Sequence, residues 1–221
     1  MVDVVRKPWQ DLRWAQILAA TLLVGVSVGL AGRATDHTDS AIVSWLGVIG
    51  APWLIAAFLT GAMIGESRSA AIAGACSQAL AVAVYYASMY KIEHGTTARY
   101  AFVMTIGWSG FAALLGASMA YVGALTRARS ARVRASALAV LAGLLIGEAL
   151  YGFSVWTNKA AQTVVTAELI AGVAALAVFA PRGQLRRAVL VAIAVAAVAV
   201  CVETGVTDFM IRAGWAGARH G

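Results

Sequence analysis

The sequence has 221 residues, 61% of them apolar and 12% charged, with 17 Lys/Arg against 10 Asp/Glu. Soluble domains carry about 25% charged residues, and apolar runs long enough to cross a bilayer recur here, which excludes a soluble domain, a disordered chain and a secreted disulfide scaffold. The net charge of +7 does not point to nucleic acid: the basic residues gather in the connections between apolar runs, where anionic lipid headgroups are the neighbours.

Seven segments are long enough to cross a hydrocarbon core of about 30 Å, and they predict an all-α polytopic bundle forming one integral membrane domain over residues 1–221. Arg6, Lys7 and Arg13 precede the first, near 12–31, whose apolar run Ile17 to Leu30 reads as a span rather than a cleaved signal peptide. A polar turn, Asp36 to Ser40, leads to the second, near 42–65, and Glu66-Ser67-Arg68 makes a tight turn into the third, near 70–90. Lys91 to Arg99, with His94-Gly95, precedes the fourth, near 100–125. The arginine-rich link Arg127 to Arg134 precedes the fifth, near 135–156. Asn158-Lys159 introduces the sixth, near 161–180, which Pro181-Arg182-Gly183 ends before the seventh, near 187–207. Helices are expected throughout, because alternation of period two is absent and lipid offers no partner to an open sheet edge.

Charge bias sets the expected orientation. With the N-terminus in the cytoplasm, the inner side receives Arg6, Lys7, Arg13, Arg68, Arg127, Arg129, Arg132, Arg134, Arg182, Arg186 and Arg187. The outer side receives only Arg33, Lys91, Arg99, Lys159, Arg212 and Arg219. The expectation is seven spans in a bacterial cytoplasmic membrane, N-terminus in and C-terminus out.

Gly25-x-x-x-Gly29, Gly61-x-x-x-Gly65 and Gly143-x-x-x-Gly147 each set small residues on one helical face, where backbones can approach closely. Packing inside the bundle is their first use, and a homodimer seam or a partner membrane subunit is the alternative. Gly61 to Glu66 and Gly143 to Glu148 also echo one another, three spans apart, as an inverted repeat would.

Ionisable groups at membrane depth carry the functional signal, because they are costly there. Glu148 lies near the middle of the fifth span, Glu168 and Glu203 in the outer parts of the sixth and seventh, and Asp208 at the outer end of the seventh. Glu66, beside Arg68, reads as a solvated helix-end charge. Three carboxylates without Lys or Arg at their depth require protons, a cation or a water-filled cavity. Tyr151 follows Glu148 by three residues and shares its face. Tyr85, Tyr86, Tyr90, Trp108, Trp45, Trp53 and Trp156 share the outer zone, as an interfacial belt or as the wall of a pocket.

The expected site is thus an externally open or gated pocket of the third, fifth, sixth and seventh spans. Its ligand-binding candidates are Glu148, Tyr151, Glu168, Glu203, Tyr86 and Trp108, suited to a small cationic or amphipathic solute. The same acids and aromatics would suit an enzyme that protonates an alkene and steers a carbocation. In a third, purely structural or accessory reading, the acids hydrogen-bond to Thr163, Thr166, Thr204 and Thr207 and specify packing.

No cofactor is expected. A Walker lysine and glycine-rich phosphate loop are missing. Cys76 and Cys201 sit in apolar runs without a Cys-x-x-Cys pattern, and His37, His94 and His220 lie in connections or the tail, so no metal centre is written either. The expected partners are membrane lipids and a small-molecule or isoprenoid ligand.

Ser40 to Tyr86, with Gly50-Ala51-Pro52-Trp53 opening a span and Tyr85-Tyr86 closing the next, resembles a family of small actinobacterial membrane proteins of unknown function. Gly147-Glu148-Ala149-Leu150-Tyr151 resembles that family's Gly-Glu-x-x-Tyr element. The resemblance covers about residues 15 to 205 and implies the same helical topology, without supplying an activity. In size and helix count the chain is similar to substrate-capturing subunits of energy-coupling vitamin transporters, which usually have six spans. It also resembles small seven-span membrane terpene cyclases. That resemblance implies catalytic roles for Glu66 and either Glu203 or Asp208, although Ile64-Gly65 stands where an Asn/Trp-Glu pattern would precede the first acid.

Overall fold

The computed structural model describes residues 8–48, 50–92, 97–179 and 182–212. Arg6, Lys7, His94-Gly95, Pro181, Arg219 and His220, which entered the reading above, lie outside the described residues. The described residues form eight α-helices and one 3-10 turn, with no strand among them. The helices are α1 (Pro8–Asp36), α2 (Ala41–Val48), α3 (Ala51–Ile64), α4 (Ser67–Ile92), α5 (Ala98–Leu125), α6 (Ala131–Val155), α7 (Lys159–Phe179) and α8 (Leu185–Arg212).

Six of these, α1 and α4 to α8, are long and apolar enough to cross a membrane. A seventh span requires α2 and α3 together, so the second apolar run is two helices rather than one. The local cause is written in Gly50-Ala51-Pro52. In a continuous helix Pro52 could not donate to the carbonyl of Val48 and its ring would crowd that turn, whereas in the first turn of α3 no such donor is needed.

The chain divides into two compact units, Met1–Thr38 with Pro52–Arg127 and Asp39–Ala51 with Ala128–Gly221. In the first, α4 is the central helix and packs on α1 and α5. A Cβ at Gly25 would lie 2.8 Å from the Ser77 carbonyl oxygen, and one at Gly29 would lie 2.9 Å from Val84 Cβ, so this pair seats α1 on α4. Gly61 sets α3 against the Ala120 carbonyl of α5. Gly65 is not part of that seam: it ends the helix at φ 74°, a left-handed conformation that glycine adopts without strain. Glu66 then starts α4, its carboxylate accepting the N–H groups of Arg68 (2.9 Å) and Ser69 (2.7 Å). An anion there meets the positive end of the helix.

In the second unit, α6 is central and packs on both α7 and α8. A Cβ at Gly143 would lie 2.9 Å from Ala192 Cα, and one at Gly147 would lie 2.8 Å from the Ala196 carbonyl oxygen, so α6 and α8 run parallel in close contact. Gly172 likewise brings α7 against Ala142 and Leu145 of α6. Asn158 caps α7 by accepting the Ala161 N–H at 2.8 Å. The echo between Gly61–Glu66 and Gly143–Glu148 is not a structural equivalence. The first ends at a helix boundary, whereas the second runs through the buried middle of α6.

A buried acid cluster in the second unit

Glu148 is only 3% exposed, yet it is firmly held. Its carboxylate accepts the backbone N–H groups of Gly50 and Ala51, at the break between α2 and α3. Non-helical backbone at membrane depth leaves polar groups that lipid cannot satisfy; here a side chain 98 positions along the chain satisfies two of them. One turn on, Tyr151 is buried and its hydroxyl shares a hydrogen bond of 2.7 Å with the Thr207 hydroxyl of α8. Its ring meets Trp156 edge-on at 6.3 Å, and Trp156 meets Trp45 of α2 at 5.0 Å. An aromatic series therefore runs from α2 to the Glu148 face of α6. Gln162 of α7 fixes its middle member by donating to the Trp156 carbonyl.

Glu168 is the contrasting member. It is 7% exposed on α7, and both carboxylate oxygens are buried without a hydrogen-bond partner among the described residues. Its carboxylate lies within electrostatic reach of Glu203 on α8, and Glu148 within reach of both. The threonines expected to satisfy these acids are engaged elsewhere. Thr163, Thr166 and Thr204 donate to backbone carbonyls one turn back in their own helices, and Thr207 pairs with Tyr151. Even so, no three His, Cys, Asp or Glu side chains among the described residues are grouped to hold a metal ion.

The second unit thus contains Glu148, Tyr151, Glu168 and Glu203. Asp208 is also on α8, but exposed. Tyr86, Trp108 and Glu66 belong to the first unit. Tyr86 packs edge-on against Tyr85 at 5.1 Å, and Trp108 against Phe111 at 6.2 Å.

Two features escaped the sequence reading. The backbone donors of Gly50 and Ala51 were signalled by the proline that follows them. A second polar group, in the first unit, had a local signal only in the i,i+3 spacing of Arg33 and Asp36, and none for its partner on α4. Arg33, 4% exposed near the end of α1, pairs with Asp36 at 3.3 Å, and Asp36 accepts the Tyr85 hydroxyl of α4. Asp36, expected at the start of a turn, is the last residue of α1.

Apolar helices of spanning length, seated on one another through glycines and enclosing carboxylates, define a multi-pass membrane protein. The chain belongs to a family of unknown function, DUF6518, whose pattern matches residues 8–209. No curated protein and no solved structure matches it significantly.

Proposed function

We propose that the second unit binds a small organic cation or cationic amphipath in the membrane, with Glu168 as the charged anchor, Glu203 and Glu148 beside it, and Tyr151 and Trp156 as aromatic walls. The observation that carries this reading is the Glu168 carboxylate, buried beside two other acids with neither oxygen hydrogen-bonded among the described residues. A buried carboxylate is expensive unless a counter-charge meets it, and aromatic faces add attraction for an ammonium group. The lack of a three-ligand grouping among the described residues favours a bulkier organic cation over a bare metal ion. In this reading the protein sits in the bacterial cytoplasmic membrane with its N-terminus inside.

The test is calorimetric titration of the protein in nanodiscs with a series from hexylammonium to tetraethylammonium. Saturable binding is expected, weakened about tenfold or more by Glu168→Gln while helicity by circular dichroism is unchanged. No saturable binding across the series, or equal affinity in the folded variant, rejects the reading.

A packing role has an observation of its own, the bridge from Glu148 to the break at Gly50. Under it the wild type binds none of the amines. The cyclase reading has no comparable support, since Glu66 is engaged in capping α4 and Asp208 is exposed.

A further inference from the structure

On α6, the side opposite Glu148 carries a separate feature. Both α7 and α8 pack on α6 but scarcely touch each other, which leaves a groove of about 600 Å³ between them. Ile146 and Leu150 of α6 form its floor, Leu176 of α7 one wall, and Val189, Ile193 and Cys201 of α8 the other. Ile146 and Leu150 lie two residues either side of Glu148, about 200° around the helix from it, so the groove faces away from Glu148, and neither Glu168 nor Glu203 is among the residues that line it.

One mouth of the groove is marked by charge. Arg186 precedes Val189 by three residues and Ile193 by seven, which places it on the groove face of α8. Arg132 precedes Leu150 by eighteen residues, about five turns of α6, and so shares the groove face of that helix. Both arginines are exposed. The pairing of Gly143 with Ala192 and of Gly147 with Ala196 makes α6 and α8 parallel, so the two arginines stand at the same membrane face. From Val189 to Cys201 the helix rises about 18 Å, close to the roughly 15 Å of one leaflet in a core about 30 Å thick.

We infer that this groove is a binding site for an anionic glycerophospholipid, with an acyl chain along α8 and the phosphate between Arg132 and Arg186. The apolar wall accepts a chain of one leaflet's length, and the cationic mouth selects an anionic headgroup. The inference rests on the groove and its two arginines alone, whatever binds at the acid cluster.

Spin-labelled phosphatidylglycerol and phosphatidylcholine, compared by electron paramagnetic resonance with the full chain in nanodiscs, test the inference. Phosphatidylglycerol should show a motionally restricted component and a preference of about fivefold or more over phosphatidylcholine. The surface double variant Arg132→Gln/Arg186→Gln should bring the ratio close to one. Ala197→Phe, which fills the groove from α8, should remove the restricted component, with helicity by circular dichroism as the folding control. A ratio near one in the wild type overturns the inference, as does a preference that survives the double variant. A wild-type dimer that Ala197→Phe converts to a monomer assigns the groove to a second copy, and overturns it as well.

Discussion

Replacing Glu148 with leucine removes the acceptor of the Gly50 and Ala51 N–H groups and leaves the donor of the buried Ala51 unmet. A loss of about 1–3 kcal/mol is expected, read by unfolding in bicelles; Glu148→Gln keeps an acceptor oxygen and should cost less. Tyr151→Phe deletes only the hydrogen bond to Thr207, and interhelical hydrogen bonds in membranes average about 0.6 kcal/mol. Glu168 should behave in the opposite sense. Its oxygens surrender no hydrogen bond among the described residues, so Glu168→Leu should hold or raise the melting temperature in the absence of ligand. A marked drop would reveal a packing role and remove the reason for reading it as an anchor. The sequence marked all three acids, because carboxylates in apolar runs are conspicuous. It could not tell which was satisfied, since the partners of Glu148 are backbone groups that no residue type announces.

Among the helices, glycine contacts rank the substitutions. A Cβ at Gly61 would collide with the Ala120 backbone, and one at Gly147 would sit 2.7 Å from Ala199 Cβ, whereas one at Gly110 meets nothing within 4 Å. Gly61→Ala and Gly147→Val should each cost about 1–3 kcal/mol through forced backbone shifts. Gly110→Ala should be neutral or stabilising by up to about 1 kcal/mol; equal effects at all three positions would show that close approach does not set these seams. The Gly-x-x-x-Gly pattern was legible as a stripe of small residues, but its partners were not. Gly61 meets α5 and Gly143 meets α8, and nothing local to either glycine distinguishes those neighbours. The break at Gly50 was half legible. Pro52 announces a helix start, while the continuous apolar run around it argues for a single span.

At the scale of the molecule, α2 and α3 decide the parity of the topology. Among the described residues six helices qualify as spans alone and a seventh only if this pair crosses together. The charge bias, with eleven basic residues against six on the two sides of a seven-span chain, predicts termini on opposite faces. Paired alkaline phosphatase and fluorescent-protein fusions at each end check this: a cytoplasmic N-terminus and an external C-terminus are expected, and termini on one face would show that the pair does not cross. Membrane residence and helical class were plain from composition, because lipid restricts the backbone so strongly. The division into two units was not, because residues 39–51 join α6 to α8 rather than the helices that flank them in sequence. That interleaving has a consequence for synthesis. The N–H groups at Gly50 leave the ribosome 98 residues ahead of the acid that receives them, an interval of about 5–20 s at ordinary elongation rates. Through that interval the nascent segment must remain at the interface, in the translocon or against water, so its final seating follows the birth of α6 rather than its own.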